Sequence, residues 1–454
     1  MKIAILDVYP FFNHRLIKDT AGGYGTGNDF GNSFFSKILN FFVDNMIGMP
    51  PINIMYIESI LNNSETFYTR DVKHKFIEEC DFVILSSSII AHETEIKALE
   101  ELHKLKKKVF VVGIFASILP NKYHVGSSII IKKEAENYFL QLSNHGNLNK
   151  EYLDKLFINN DYLIDGGFVD DLDLLPYPKW NDYFKRFPLR NNFLGYNTDI
   201  AIPILATRGC PYSCFQYCTY PLQQGRKVRA REPKKVVEEI LFWNNKYGIK
   251  KFVFRDPVFS INRKHTVELC NLIISANVEI KFLIETHLNN LDDELITLLR
   301  KAGLEMIYVG IESSNVSVLK DIKRFTIEKD KQYEVIKKLT DLGISVKSMF
   351  MIGNPGDTKE TIANTMLYAN FLPHQLVQYS VFTPYPGTPV YPSFEKLITE
   401  KKLENFNQYN LVFSHNNLTK TEILELKKKA YKKFYINLKN ILKIFFTIFK
   451  SKFS

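Results

Sequence analysis

From its first residue the chain alternates short apolar runs with stretches of helical spacing. Runs at 2–8, 52–57, 81–86, 108–113 and 128–132 predict strands. Each is a short block of apolar or β-branched positions bounded by turn residues, as strands buried on both faces are. Between them, 33–43, 72–79, 94–107 and 134–143 carry the i, i+3, i+4 apolar spacing of helices. Strand–helix alternation builds a parallel sheet covered on both faces, so 1–145 is expected to be an α/β Rossmann-like (flavodoxin-like) domain. Ligands of such sheets sit beyond the C-terminal strand ends.

The pattern breaks over 146–199, which is rich in Asn and Asp and contains Leu174-Leu175-Pro176-Tyr177-Pro178. This reads as an ordered linker. Alternation resumes with strands predicted at 202–207, 251–255, 279–285, 306–310, 346–351 and 378–382. Helices are predicted at 233–247, 263–275, 292–302, 329–342 and 358–371. Six βα units over 200–395 predict a partial (β/α)6 TIM-type barrel, with chemistry at the C-terminal strand ends. A helical C-terminal region, 396–454, follows.

Composition adds limits. The 454 residues suit two or three domains, and 45% hydrophobic with 24% charged residues suits a globular protein with a real core. The net charge of +10 admits anionic partners, but no zinc-finger spacing or Arg-rich arm occurs and no nucleic acid is expected. The opening Met-Lys-Ile-Ala-Ile-Leu-Asp reads as a strand and not a signal peptide. No apolar run is long enough to predict a membrane-spanning helix. Five cysteines, three of them within nine residues, do not form a disulfide framework. A reducing cytoplasm is the expected setting, with Cys80 and Cys270 as buried small hydrophobes.

The three clustered cysteines, Cys210, Cys214 and Cys218, follow the first predicted barrel strand in Thr207-Arg208-Gly209-Cys210-Pro211-Tyr212-Ser213-Cys214-Phe215-Gln216-Tyr217-Cys218. Three thiolates on one loop can hold three irons of a four-iron cluster and leave the fourth open. A zinc site, with His287 as a fourth ligand, is the other reading.

This stretch resembles the radical S-adenosylmethionine (SAM) superfamily. The resemblance extends to Arg231 with Glu238-Glu239-Ile240, to Phe254-Arg255-Asp256-Pro257-Val258-Phe259 and to Gly310-Ile311-Glu312-Ser313. It continues through Met351-Ile352-Gly353-Asn354-Pro355-Gly356-Asp357-Thr358 and Pro384-Tyr385-Pro386-Gly387-Thr388-Pro389. Two departures stand out. The second cysteine gap holds three residues where the family has two, and His287 stands where the family has Arg.

The resemblance implies a [4Fe-4S] cluster on the three cysteines and SAM bound to its open iron. Reductive cleavage of SAM then gives a 5′-deoxyadenosyl radical, which takes hydrogen from substrate. It further implies cofactor contacts from Tyr217, Glu285, Glu312, Gly353 and Pro355. A reductant protein such as a flavodoxin or ferredoxin would supply the electron.

The N-terminal domain resembles the cobalamin-binding module of one subfamily. Thr20-Ala21-Gly22-Gly23-Tyr24-Gly25-Thr26-Gly27, Val111-Val112-Gly113-Ile114-Phe115-Ala116, Lys133-Glu134-Ala135-Glu136 and 174–180 carry the likeness. It implies cobalamin contacts from Gly22, Gly23, Gly25 and Gly113. Ile114 replaces a second glycine, and no Asp-x-His-x-x-Gly motif is present to supply a lower ligand.

The C-terminal run places Lys432, Lys439, Lys443 and Lys450 on one helical face. Leu438, Ile441, Leu442, Phe445, Ile448 and Phe449 cover the other side. This is either a basic amphipathic helix on an anionic membrane surface or a terminal helix packed on the barrel. Methylation of a small or lipid-like substrate through cobalamin is the expected reaction. The alternatives are radical cyclisation, oxidation or rearrangement without methyl transfer, and a non-catalytic membrane-associated relative.

Overall fold

The computed structural model of the chain describes residues 1–10, 16–27, 51–159, 162–180, 183, 201–437 and 440. Two parallel six-stranded sheets organise it. In chain order the strands are β1 (Lys2–Leu6), β2 (Leu16–Ile17), β3 (Thr26–Gly27), β4 (Glu65–Thr69), β5 (Phe82–Ser86), β6 (Lys108–Val112), β7 (Ile129–Lys132) and β8 (Leu163–Asp165). They continue with β9 (Ala201–Ile204), β10 (Thr207–Arg208), β11 (Arg229–Ala230), β12 (Lys251–Phe254), β13 (Lys281–Thr286), β14 (Leu304–Glu312), β15 (Ser345–Ile352) and β16 (Leu376–Val381).

The first sheet runs β4-β1-β5-β6-β7-β8, the flavodoxin-like order with a switch point between β1 and β5. Its central strands are fully buried, as in Phe-Val-Ile-Leu-Ser of β5. The run 52–57, expected as a strand, is instead the helix Ile52–Ile60, in which every residue but Asn53 is buried. A segment buried on all sides has no periodicity to separate helix from strand. The strand in that part of the sheet is β4, Glu-Thr-Phe-Tyr-Thr, an edge strand whose polar residues hid it. The stretch read as a linker contributes the helix Lys150–Ile158 and strand β8, which pairs with β7. The helix expected at 33–43 lies outside the described residues.

At the switch point the chain inserts its own cation. The buried Lys18 ammonium sits 3.1 Å from Asp7, at the end of β1, and 2.8 Å from Glu95, and donates to the Ser86 carbonyl. Burial disfavours its charge, but the two carboxylates outweigh that and hold Lys18 above its ordinary pKa. Glu95 also accepts from Tyr123 at 2.6 Å, and the Tyr123 hydroxyl lies 3.1 Å from His92 Nδ1.

Burial, helped by Lys122, pushes His92 down to about 4. The folded state therefore binds fewer protons than the unfolded state between the ordinary histidine value and about 4. His92 thus contributes stability above pH ~6.5 that is lost as pH falls toward 4. Denaturant titrations of a His92→Gln chain are expected to show a shallower acid limb in that window. An unchanged slope would contradict this.

The second sheet runs β16-β15-β14-β13-β12-β9, all parallel and in chain order. It is the partial barrel expected from the sequence, with helices at Pro233–Tyr247, Arg263–Ser275, Asp293–Lys301, Lys329–Asp341 and Lys359–Phe371. Along its strands, fully buried residues such as Phe252, Phe282, Ile307, Val346 and Val377 alternate with half-buried ones such as Val253, Leu283, Tyr308, Lys347 and Gln378. The first set packs against the helices, and the second faces the open lumen.

The C-terminal helix Lys420–Tyr435 covers β16. Its Tyr431 hydroxyl accepts from the Tyr379 N–H at 2.9 Å, and its Tyr435 hydroxyl accepts from the Val377 N–H at 3.1 Å. Two side chains thereby satisfy backbone groups of an edge strand. Of the lysines in the tail pattern, Lys432 lies on this helix, whereas Lys439, Lys443 and Lys450 fall in 438–439 and 441–454, outside the described residues. No helix among the described residues is long and apolar enough to cross a membrane.

Candidate active site

The cysteine loop is a tied-off excursion between β10 and β11, which pair antiparallel as Thr207↔Ala230 and Arg208↔Arg229. Gly209 turns the chain at φ +95°, where a Cβ would stand 2.1 Å from the Lys227 carbonyl oxygen. Only glycine fits. The Cys210 N–H bonds the Gly225 carbonyl, and the residues after Cys210 form a 3₁₀ turn, Ser213–Gln216. The N–H groups of Tyr217 and Cys218 both bond the Cys214 carbonyl at 3.2 Å. The unusual three-residue gap is thus taken up as one compact turn. Its last carbonyl, on Gln216, accepts from Val390.

Burial pushes the Cys210 thiol up to about 11, against a bond from Tyr212 and with a further push from Cys214. Cys218 is raised further, by burial and then by Cys214 and Cys210. Cys210 and Cys218 therefore sense the neighbouring sulfurs, and a cationic centre among the three would favour their thiolates. An iron–sulfur cluster held by terminal thiolates has that chemistry. Among the described residues, no three His, Cys, Asp or Glu side chains are gathered as the ligand set of a single metal ion.

Carboxylates and an arginine surround the loop. Arg324, which the sequence reading missed, lies 3.7 Å from Cys214 Sγ, donates to the Gly310 carbonyl at 2.7 Å and stands 3.8 Å from Glu312. Glu312 ends β14 at φ +66°, beside an irregularity in the β14–β15 register. That strained backbone costs of order 1 kcal/mol and is found where a side chain must be aimed. Burial raises the Glu312 carboxyl, with Arg324 opposing. Glu285, at the end of β13, is likewise raised by burial, with Arg255 and Lys347 opposing.

His287 is buried with an unpartnered Nδ1, and burial and then Arg324 push it down to about 3. It is neutral at the site. Tyr217 packs near Phe382. A Cβ on Gly353 would stand 3.1 Å from Ile423 of the terminal helix. The Pro355 loop is held by Asn354, which bonds Asp357 and the Met351 carbonyl. Glu285, Glu312 and Tyr217 are thus gathered around the cysteines, while the Gly353–Pro355 loop meets the terminal helix.

The loop is also gripped from the first sheet. Arg208, two residues before Cys210, pairs with Glu136 at 2.7 Å and Glu134 at 3.2 Å. Arg229 meets Glu134 through two nitrogens, at 2.7 and 2.9 Å. All four side chains are buried. The Glu-x-Glu segment, read as part of a cobalamin module, therefore clamps the cysteine loop. Asp256 supports the same root, accepting from Ala206 and Thr207. Arg231 pairs with Glu239.

The glycine-rich loop packs onto the far side. A Cβ on Gly22 (φ +56°) would stand 2.6 Å from the Thr219 carbonyl group, and one on Gly23 would stand 2.8 Å from Gln223. One on Gly25 would stand 2.5 Å from Ile90. These glycines are accounted for by close contact within the chain. Gly113 (φ +108°), where a Cβ would stand 2.7 Å from the Ser87 carbonyl oxygen, also lines a cleft. Gly22→Ala is expected to destabilise the chain by about 1–3 kcal/mol through this contact and the positive φ. Chemical denaturation measures it, and a change below ~0.5 kcal/mol would contradict the contact.

The cleft lies between the sheets and is lined by Gly113, Ile114 and Lys133 on one side and Arg208, Tyr220 and Arg255 on the other. Asp19 reaches across to Arg255 at 2.8 Å. The C-terminal ends of β6, β7, β9 and β12 all approach it, the position at which both fold types bind ligands.

Residues 204–369 match the family described as the radical SAM superfamily. An uncharacterised methyltransferase of Pyrococcus horikoshii is 27% identical over 245 residues, 54% of this chain and 53% of that protein. The anaerobic magnesium-protoporphyrin IX monomethyl ester cyclase of Cereibacter sphaeroides is 33% identical over 52% of this chain and 39% of its own length. The chain thus spans about half or less of these curated relatives. Among solved structures, the radical SAM methyltransferase TsrM of Kitasatospora setae, with cobalamin and a [4Fe-4S] cluster, gives a TM-score of 0.61 at 14% identity, covering 87% of this chain and 78% of that one. The cobalamin-dependent radical enzyme OxsB, with aqua-cobalamin and SAM, gives 0.65 at 14% identity, covering 98% and 72%. At such identity these likenesses bear on the fold alone.

Proposed function

We propose that the chain, whose residues 204–369 match the radical SAM superfamily, is a radical SAM enzyme that methylates a small or lipid-like substrate with the help of cobalamin. The observation that carries this reading is the placement of the cysteine loop. It joins the mouth of the open barrel to the cleft at the C-terminal ends of both sheets. Curated relatives named as methyltransferases support the reaction class.

In this reading Cys210, Cys214 and Cys218 hold a [4Fe-4S] cluster, which supplies the electron for SAM cleavage when bound. Glu285, Glu312 and Tyr217 line the SAM side, where burial keeps water scarce and strengthens each polar contact. Arg324 ties the Cys214 sulfur to the end of β14 and balances the charge of Glu312. Gly113, Ile114 and Lys133 line the cleft in which cobalamin would sit. A one-electron carrier protein supplies reductant, and the basic apolar run 438–450 supports contact with an anionic lipid surface.

Two observations favour a second reading, radical chemistry without methyl transfer. Gly22, Gly23 and Gly25 are engaged in packing, and Lys18 fills the β1–β5 switch point. Relatives named as cyclases fit this reading. Cobalamin content separates the two. Protein purified anaerobically from cobalamin-supplied cells should carry about one cobalamin per chain. Its absence, with the cluster loaded, would favour the second reading.

A further inference from the structure

The barrel lumen holds a cation for which the cysteine loop gives no role. Lys347 on β15 is in register with Tyr308 of β14, which is in register with Glu285 of β13. The three form one row across the lumen, so Lys347 and Glu285 stand about two strand spacings, roughly 10 Å, apart. The Lys347 ammonium lies over the Tyr308 ring, 4.5 Å from its centroid.

Other cations on this face have carboxylate partners. Lys251 and Lys281 share Glu305 at 3.8 and 3.7 Å. Arg255 has Asp19, and Arg324 has Glu312. Among the described residues, no carboxylate or hydrogen-bond acceptor is within bonding reach of Lys347 Nζ. Burial pushes this amine down to about 8, and Glu285 is the one charge drawing it back. Its donor positions are therefore open to a ligand that enters the lumen. Its surroundings in the lumen, Leu283, Met306 and Met349, are largely apolar.

We propose that Lys347 anchors an anionic group, a carboxylate or phosphate, of a substrate whose apolar body lies along the lumen. This rests on reading the barrel as the catalytic chamber. SAM also carries a carboxylate, and Glu285, read above as a SAM contact, shares the row of Lys347 at roughly 10 Å; the cluster end of that site, at Glu312 and Arg324, lies four residues beyond Tyr308 along β14, about 13 Å nearer the strand ends. Lys347 is therefore assigned to the substrate.

The test uses the full reconstituted chain, with inorganic pyrophosphate as the anionic probe and acetylation by a water-soluble acetyl ester read by peptide mass spectrometry. Lys347 should be acetylated at pH 8. Pyrophosphate at roughly ten times its Kd should slow that reaction about tenfold, with Lys251 and Lys281 unaffected. Pyrophosphate binding measured by calorimetry should be lost in Lys347→Met and kept in Lys347→Arg.

Three results would overturn the proposal. They are no acetylation of Lys347 in the free protein, acetylation that pyrophosphate does not slow, and equal protection by SAM alone. Formation of 5′-deoxyadenosine, assayed in parallel, reports separately on the radical reading. A chain that makes none yet shows the protection has lost that reading and kept the anion site.

Discussion

A Cys218→Ala chain, reconstituted anaerobically, is expected to lose its four-iron cluster and all 5′-deoxyadenosine formation while keeping its fold. Cys218 is half-buried and its backbone N–H, which bonds Cys214, survives the substitution. The loss in stability should therefore stay within about 1 kcal/mol. The loss in iron should be near total, because a cluster with two protein thiolates leaves two irons without protein ligands. Cys270→Ala is the control. Cys270 is fully buried in the helix Arg263–Ser275, so that variant should lose some stability and none of its iron. Iron retained in Cys218→Ala, or lost equally in Cys270→Ala, would contradict the ligand assignment.

Replacement of Glu134 by alanine should have the largest effect on stability. Glu134 accepts from Arg229 through two nitrogens and pairs with Arg208, and all three are buried. Burial alone would raise its carboxyl, but the two arginines hold it below its ordinary value. Its removal leaves Arg208 with Glu136, and leaves the buried Arg229 guanidinium with the Val169 and Gln224 carbonyls and no carboxylate partner among the described residues. Breaking such a pair costs about 3–5 kcal/mol. Arg208 stands two residues before Cys210, so cluster loading should fall as well. Denaturant unfolding and iron content measure both. A cost below ~1 kcal/mol with full iron would show that the clamp does not hold the loop.

The barrel was legible because its signals are local. Each strand is a short apolar run after a turn, and the five interior helices match their predicted spans to within a residue or two. The three cysteines were legible because one loop carries them all. The clamp was not, because Arg208 and Glu134 are far apart in sequence and each has an ordinary local explanation. Arg324 and Lys347 were missed for a similar reason. Nothing in the local pattern of Lys-Arg-Phe-Thr or Val-Lys-Ser-Met indicates that one side chain meets a cysteine sulfur and the other faces the lumen. The packing partners of the glycine-rich loop were not legible. Glycines permit close approach, but the sequence does not say to what, and a Cβ on Gly22, Gly23, Gly25 or Gly113 would meet the chain itself. The helix Ile52–Ile60 was misread because full burial erases amphipathic period.

The central claim is that the cysteine loop, with its three-residue second gap, holds a working radical cluster. The most direct measurement is 5′-deoxyadenosine released from SAM by the anaerobically reconstituted full chain under dithionite, with iron and sulfide quantified on the same sample. The account predicts about four irons and four sulfides per chain and 5′-deoxyadenosine that disappears in Cys218→Ala. A chain that takes up no iron–sulfur cluster under these conditions, or that releases equal 5′-deoxyadenosine with and without Cys218, would contradict it.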